Sequence, residues 1–535
     1  MKNAIWILCV VFLISACHQE VTTVAQHQVN KQPKSMAGAK SSFLQLAGTY
    51  RTGKFDESAA EVVTHIPDSN LLVFTSASEN SLVFLDISNP EKPEMVRKVT
   101  FEQIPDAGGV NSVAAYGSVL VAAVENKHKQ APGFIVFLDQ KGKILKHLQV
   151  GALPDMVTFS PDGRYILVAN EGEPDHSYQN DPIGSVSLIE WKGAVNELSE
   201  ESIITLTFGD VALDGPVRIS GPNANQSTDL EPEYIAVSAD SKFAFVTLQE
   251  NNAIAKIDLE NKQVIFIKSL GFSDHSQKGF AFDASKKDGG VHIKNWPVKG
   301  MPMPDGIAAF DVDGKTYLIT ANEGDGREYG DYEDETKVKK ITLDPVQFPN
   351  AEWLQKEENI GGLVISSVDG DTDKDGDYDV LYSFGTRSFS IWDADLNLVY
   401  DSGQIFEQVI EGVIGKRYFN VSNDKNKPEG RSPKKGPEPE GVTIGKVGEK
   451  QFAFILLERV GGIMVFDITN PSEAQFYDYQ NNRNFEADPK SAEAGDLGPE
   501  TAIFISKEKS PVGEALLAVA NEVSGTVSIY YVGTN

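Results

Sequence analysis

One unit recurs along almost the whole chain, and a repeat limits the folds open to a sequence more than any other feature. The clearest copy opens at Glu231-Pro232-Glu233 and runs through Tyr234-Ile235-Ala236-Val237 to a polar turn at Ser238-Ala239-Asp240. A second apolar run follows at Phe243-Ala244-Phe245-Val246-Thr247, then a turn at Gln249-Glu250-Asn251-Asn252. A third run, Ala253 to Asp258, and a fourth, Gln263 to Ile267, complete it. Short β-branched and aromatic runs bounded by Gly, Asn, Asp and Pro read as strands. Four strands in a unit of about 45 residues is the pattern of a propeller blade. Helical periodicity is nearly absent, and tandem β-sandwiches would not repeat this faithfully.

Other copies open near Glu61, Asn111, Asp155, Asp305, Glu440 and Glu500, and their second turns carry Glu79, Glu125, Glu171, Glu323, Glu458 and Glu522. An eighth unit reads between Gly361 and Gly403, with Val380-Leu381-Tyr382 and Phe389 to Asp393 as strands. The last copy supplies three strands, while the stretch Phe43 to Tyr50 has no unit of its own. The expectation is an all-β single propeller of eight four-stranded blades, or seven if one copy is an insertion. N- and C-terminal strands would share the last blade, pairing both open edges.

The N-terminus points to export. Met1-Lys2-Asn3 is a short positive start, Ala4 to Ile14 is almost wholly apolar, and Ser15-Ala16-Cys17 follows. That order is a signal peptide, and its apolar run is too short for a permanent membrane span. Leu13-Ile14-Ser15-Ala16-Cys17 resembles a bacterial lipobox, which implies cleavage after residue 16 and lipidation of Cys17. By the same resemblance, His18 rather than Asp after the cysteine implies the outer membrane, on its periplasmic or cell-surface face. Residues 17–40 then read as the lipidated cysteine and a flexible tether, and residues 41–535 as the propeller domain. The only other cysteine, Cys9, lies within the signal, so the mature chain has no thiol for a disulfide, metal cluster or nucleophile. A net charge of −29 excludes nucleic acid as a partner and favours cations.

The strongest chemical motif is Asp369-Gly370-Asp371-Thr372-Asp373-Lys374-Asp375-Gly376-Asp377-Tyr378-Asp379. Asp371, Asp373, Asp375 and Asp379 occupy alternate positions of a turning loop, with Asp377 placed to offer its carbonyl and Gly376 permitting the turn. Calcium requires six to eight oxygens and takes them from such loops. Tyr382 stands where an EF-hand needs Glu, so the loop instead resembles the calcium hairpin of integrin-type propeller repeats. Six aspartates within eleven residues would otherwise repel one another.

A second candidate follows from the repeat. If the opening acids Glu61, Asp155, Glu233, Asp305, Glu440 and Glu500 sit at the same end of each first strand, they form a ring around a central channel. Such a ring needs cations or bound protons. The alternative is that each acid satisfies its own turn. Glu171, Glu173, Glu323, Asp325, Glu458 and Glu522 are candidates for the rim of the same mouth. Arg327, Arg387 and Arg459 are candidate catalytic groups, since a guanidinium holds phosphate well. Arginine–glutamate bridging is the simpler account of them. The eight histidines are scattered, and no nucleophile elbow, P-loop or zinc-protease motif is present.

Several longer stretches together resemble the choice-of-anchor I family across nearly all of residues 41–533. They are Ala59-Ala60-Glu61, Leu153-Pro154-Asp155 running to Glu173-Pro174, Pro304-Asp305-Gly306 running to Asp325, Arg387 to Asp393, Gly436 to Val442, and Val519 to Val527. That resemblance implies similarity to a mesenchyme-specific cell-surface glycoprotein, and some bacterial members carry an alkaline phosphatase label. Where relatives often have an acid this chain has His176, and the Asn111 copy has no opening acid. The functional expectation is a calcium-binding, lipid-anchored interaction module, monomeric, with a surface protein or phosphorylated small molecule as partner. The alternatives are a calcium-dependent phosphoesterase and, more weakly, a metal-dependent lactonase or sugar-processing enzyme.

Overall fold

The computed structural model describes residues 42–533. The Cys17 anchor, the signal peptide and the tether therefore lie outside the described residues. Among those residues, strands dominate and α-helices are few and short: Gln226–Asp229, Ala351–Leu354 and Ile405–Val413.

The repeats fold into consecutive antiparallel sheets. The first contains Val63–His65, Leu71–Ser76, Ser81–Asp86 and Glu94–Thr100, paired in chain order. Sheets beginning at Ala107–Tyr116, Pro154–Phe159, Ile235–Val237, Ile307–Val312 and Pro439–Val447 follow the same plan. In the sheet that begins at Ile235, Leu213–Asp214 adds a short parallel edge strand. The last sheet takes Pro499–Ile505, Leu516–Asn521 and Thr526–Val532 from the C-terminal repeat. Its fourth strand is Leu44–Arg51, which pairs antiparallel with Thr526–Val532 as the sequence led us to expect.

The stretch from Gly361 to Gly403 does not form a sheet of its own. Phe389–Asp393 and Leu398–Asp401 are the third and fourth strands of the sheet begun by Ile307–Val312 and Lys315–Ala321. The Asp305 copy is split by an insertion, and Tyr382–Phe384 lies within it, pairing with Lys299–Met301. Two strand patterns of one sheet, separated by this insertion, read as two repeats. Small paired segments and a separate apolar cluster around Trp296, Leu343 and Leu381 stabilise the insertions.

Each sheet packs face to face on the next. The second strands are buried along their whole length in Tyr165–Asn170 and Leu516–Asn521, which explains their continuous apolar runs. One cluster joins Phe84 of the first sheet to Val136 of the second, and another joins Phe137 to Val168 of the third. A further cluster joins Phe74 of the first sheet to Leu516 and Ile529 of the last. Burying each such side chain contributes about 1.5–3 kcal/mol. The first strands likewise touch one another in turn, including Val63–His65 against both Ala107–Tyr116 and Pro499–Ile505. Stacked four-stranded sheets with their first strands innermost are the arrangement of a β-propeller.

Candidate functional site

The opening acids lie at the beginnings of the inner strands, and a local device puts them there. Asp155, Glu440 and Glu500 each sit where the register slips, between Pro154 and Met156, Pro439 and Val442, and Pro499 and Thr501. Proline cannot donate to the ladder, so it belongs at a strand start or a bulge. A bulge turns the next side chain away from the regular alternation. Pro232-Glu233 and Pro304-Asp305 repeat the pair just before their strands.

Glycines then let the inner strands approach. A Cβ on Gly306 would lie 2.6 Å from the Glu440 carbonyl oxygen, and one on Gly441 would lie 2.1 Å from that of Glu500. Asp305, Glu440 and Glu500 are brought together as a result, each offering an oxygen within 4.8 Å of the other two. Glu323, Glu440 and Glu458 form a second such group, and Glu171, Glu231 and Glu250 a third.

The acids feel one another's charge across sheets. Burial and then the charge of Glu522 push Glu61 up to about 8. Burial and then Glu173 push Asp155 up to about 6. Burial also raises Glu233, Asp305, Glu440 and Glu500 well above the carboxylate range, with Glu250, Glu323, Glu323 and Glu522 the largest neighbouring charges respectively. Burial pushes Glu250 up to about 7 and Glu458 up to about 8 against the opposing charges of Arg327 and Arg459. Glu233 Oε2, Glu250 Oε2 and Glu440 Oε2 are buried with no hydrogen-bond partner among the described residues. In the repeat whose opening position is Asn111 rather than an acid, the turn acid Glu125 accepts at Oε1 from the Gly109 N–H at 3.3 Å, and its charge reaches both Glu61 and Asp155. Glu79 differs from the other turn acids: it is exposed and pairs with Lys98 and Lys54.

The three candidate arginines are all engaged in the fold. Arg327 donates to Glu231 Oε2 at 3.0 and 3.2 Å and to the Asp229 carbonyl at 2.7 Å. Arg387 donates to Glu407 Oε1 at 2.7 Å and to the carbonyls of Ser432 and Lys434. Arg459 donates to Glu438 Oε2 at 2.8 Å and also pairs with Glu458. Each of the three guanidinium groups thus has a carboxylate partner within the chain.

Two residues escaped the sequence reading. Glu438 lies between Arg431, Arg459 and Lys435, and Lys435 itself reaches Glu323 and Asp325 at 3.0 Å each. Neither occupies the repeat position, and the one available signal was their density of charge in a Gly- and Pro-rich stretch. A cavity of about 690 Å³ lined by Tyr178, Tyr329, Tyr332 and His176 opens beside the acids, where Tyr329 donates to Glu173 Oε1 at 3.0 Å.

The Asp371 loop is separate. Asp371 accepts from the N–H groups of Asp375 and Gly376, and Asp379 accepts from the Thr372 N–H at 2.8 Å. Gly376 has φ +102°, a conformation open to glycine. Asp377 and Asp379 converge with Asp344, a residue outside the motif, within 4.8 Å. Burial and then the charge of Asp375 raise Asp373 and Asp377.

The choice-of-anchor I domain model matches residues 61–471. The mesenchyme-specific cell surface glycoprotein of Strongylocentrotus purpuratus is 27% identical over 286 residues, which is 47% of this chain and 36% of that protein. Gigasin-3a of Magallana gigas is 28% identical over 193 residues, 34% of this chain and 66% of that protein. The matches thus span about a third of the sea-urchin relative and just under two thirds of the oyster one. Among solved structures, the Myceliophteria thermophila Cps50 (Swd1) beta-propeller domain overlaps with a TM-score of 0.44 at 8% identity, covering 91% of this chain and 99% of that one. An overlap at that score bears on neither function nor blade number. With the family model covering more than half of its length, this chain belongs to the choice-of-anchor I domain family.

Proposed function

We propose that this protein is an exported, surface-facing interaction module: a seven-bladed propeller, closed by its terminal strands, that holds calcium among the acids of its inner strands and in the Asp371 loop. The observation that carries this reading is the convergence of Asp305, Glu440 and Glu500, with Glu440 Oε2 lacking any hydrogen-bond partner. Oxygen-only donors at this spacing suit calcium. Packing of the first sheet on the last supports closure. The lipobox around Cys17 and the cell-surface name of the sea-urchin relative support the location. Lipidation would make the membrane the first partner, and a surface protein bridged through bound calcium the second.

A calcium-dependent phosphoesterase is the second reading. Its arginines are committed elsewhere, but one observation favours an anion site. Lys286, Lys287, Lys337, Lys339 and Lys434 line a cavity of about 160 Å³ in a chain of net charge −29. Elemental analysis of the purified protein, with chromogenic phosphate-ester assays before and after chelation, separates the readings. Two or more calcium ions without turnover support the interaction module. Turnover that disappears with calcium would replace it by the phosphoesterase, and a metal-free protein that binds no added calcium would refute both.

A further inference from the structure

Away from the inner strands, a third kind of acid cluster joins two long connections. Asp283 and Asp288 lie in the segment between Gln263–Ser269 and Ile307–Val312, and Glu429 lies in the segment between Leu398–Asp401 and Pro439–Val447. Each offers an oxygen within 4.8 Å of the other two. Asp283 is fully buried and the Asp288 side chain is 9% exposed.

The hydrogen bonding within this cluster is lopsided. Asp283 Oδ1 accepts from the His292 N–H at 3.0 Å, and Asp288 Oδ2 pairs with His292 Nδ1 at 2.8 Å. The opposite oxygens, Asp283 Oδ2 and Asp288 Oδ1, are buried without a hydrogen-bond partner among the described residues, as is Glu429 Oε1. Buried polar atoms are nearly always satisfied, and three orphans on three converging groups call for a common partner. Among the described residues no lysine or arginine forms an ion pair with any of the three. The neighbouring Arg387 is bound to the Asp283 carbonyl and to Glu407.

We propose that Asp283, Asp288 and Glu429 form a calcium site that pins the two connections together, independently of the inner-strand acids and of the Asp371 loop. All donors are hard oxygens. Two oxygens on one calcium at about 2.4 Å can stand as much as about 4.8 Å apart, whereas magnesium, at about 2.0–2.1 Å, needs a tighter set. Glu429 is held at φ +57°, a conformation rare outside glycine, and strain of this kind persists where the surroundings enforce it. A cation bound there by the folded chain alone stabilises the joined connections by mass action.

The test is the number of calcium ions bound per chain, by equilibrium dialysis of the full protein and of an Asp288→Asn/Glu429→Gln variant. The variant is expected to bind one calcium fewer while keeping its circular dichroism spectrum. An unchanged count in a folded variant would overturn the site and leave a cluster that shares protons. If the variant does not fold, a lanthanide-soaked crystal of the unaltered protein decides. An anomalous peak bounded by the three carboxylates supports the site, and none there overturns it. Because Glu440→Gln and Asp373→Ala are counted separately, failure here is distinct from failure of the inner-strand or loop sites.

Discussion

Glu438 and Glu440 are two residues apart and face opposite electrostatic conditions. Glu438 is buried, which alone would raise it, yet Lys435, Arg459 and Arg431 outweigh burial and hold it down at about 2. Glu440 is pushed well above its ordinary value by burial and then by Glu323, Glu500 and Glu458, and among the described residues no base pairs with it. Burial is the largest influence on both carboxyls. What separates them is whether a base was placed within reach. Glu438 therefore serves the fold as one end of a buried ion network, and Glu440 is a buried acid set among other acids.

The largest effect should come from breaking the balanced side. Glu438→Gln would take the carboxylate from Arg431 and one partner each from Lys435 and Arg459, in a buried setting where losing one partner costs about 3–5 kcal/mol; urea denaturation measures it. An unaltered midpoint would mean that the network adds nothing to stability.

The next contrast is in pH. Glu61 and Glu458 reach about 8, Glu250 about 7 and Asp155 about 6, all above their unfolded values. The folded state then binds more protons than the unfolded one, so its stability is lost as pH rises through those values. Calcium-free protein should melt at progressively lower temperature from pH 5 to pH 8, and saturating calcium should flatten the decline. Glu438 works in the opposite sense: its contribution is present above its unfolded value of about 4.5 and is lost as pH falls towards 2. Thermal melts across pH 2–8, with and without chelator, reveal both slopes.

A smaller effect sharpens the unbalanced side. Glu440→Gln removes an acid that folding must protonate or bury charged and should stabilise the calcium-free protein by about 1 kcal/mol, while reducing the gain in melting temperature on adding calcium. The smallest belongs to the exposed loop. Asp373→Ala should lose only part of the calcium-induced gain, and an unchanged calcium response in differential scanning calorimetry would remove the loop from the set of metal sites.

Strands were the most legible part of the sequence, because alternation and short apolar runs are local properties. The pairing of Leu44–Arg51 with the C-terminal repeat was legible too, since a repeat short of one strand needs an edge partner. The split sheet was not. A strand pattern at Phe389–Asp393 carries no mark of which earlier strand it joins, and the partner proved to be Lys315–Ala321, across the insertion. The gathering of the opening acids was readable in the recurring proline–acid pair. The glycines after Asp305 and Glu440, which allow close approach, acquire meaning only once neighbouring strands are in place. Asp344, which joins the loop acids, lies outside the motif and gave no signal.

By itself the sequence determined an all-β repeat fold, its family, and an excess of carboxylates at equivalent positions. Tertiary structure decided which of those carboxylates have a base beside them. Glu323 meets Lys435 from 112 positions away, and Arg327 meets Glu231 from 96 positions away. These two pairs join different sheets and insertions, and a buried carboxyl answers to whatever lies within a few ångströms in space, however far away it stands in the chain.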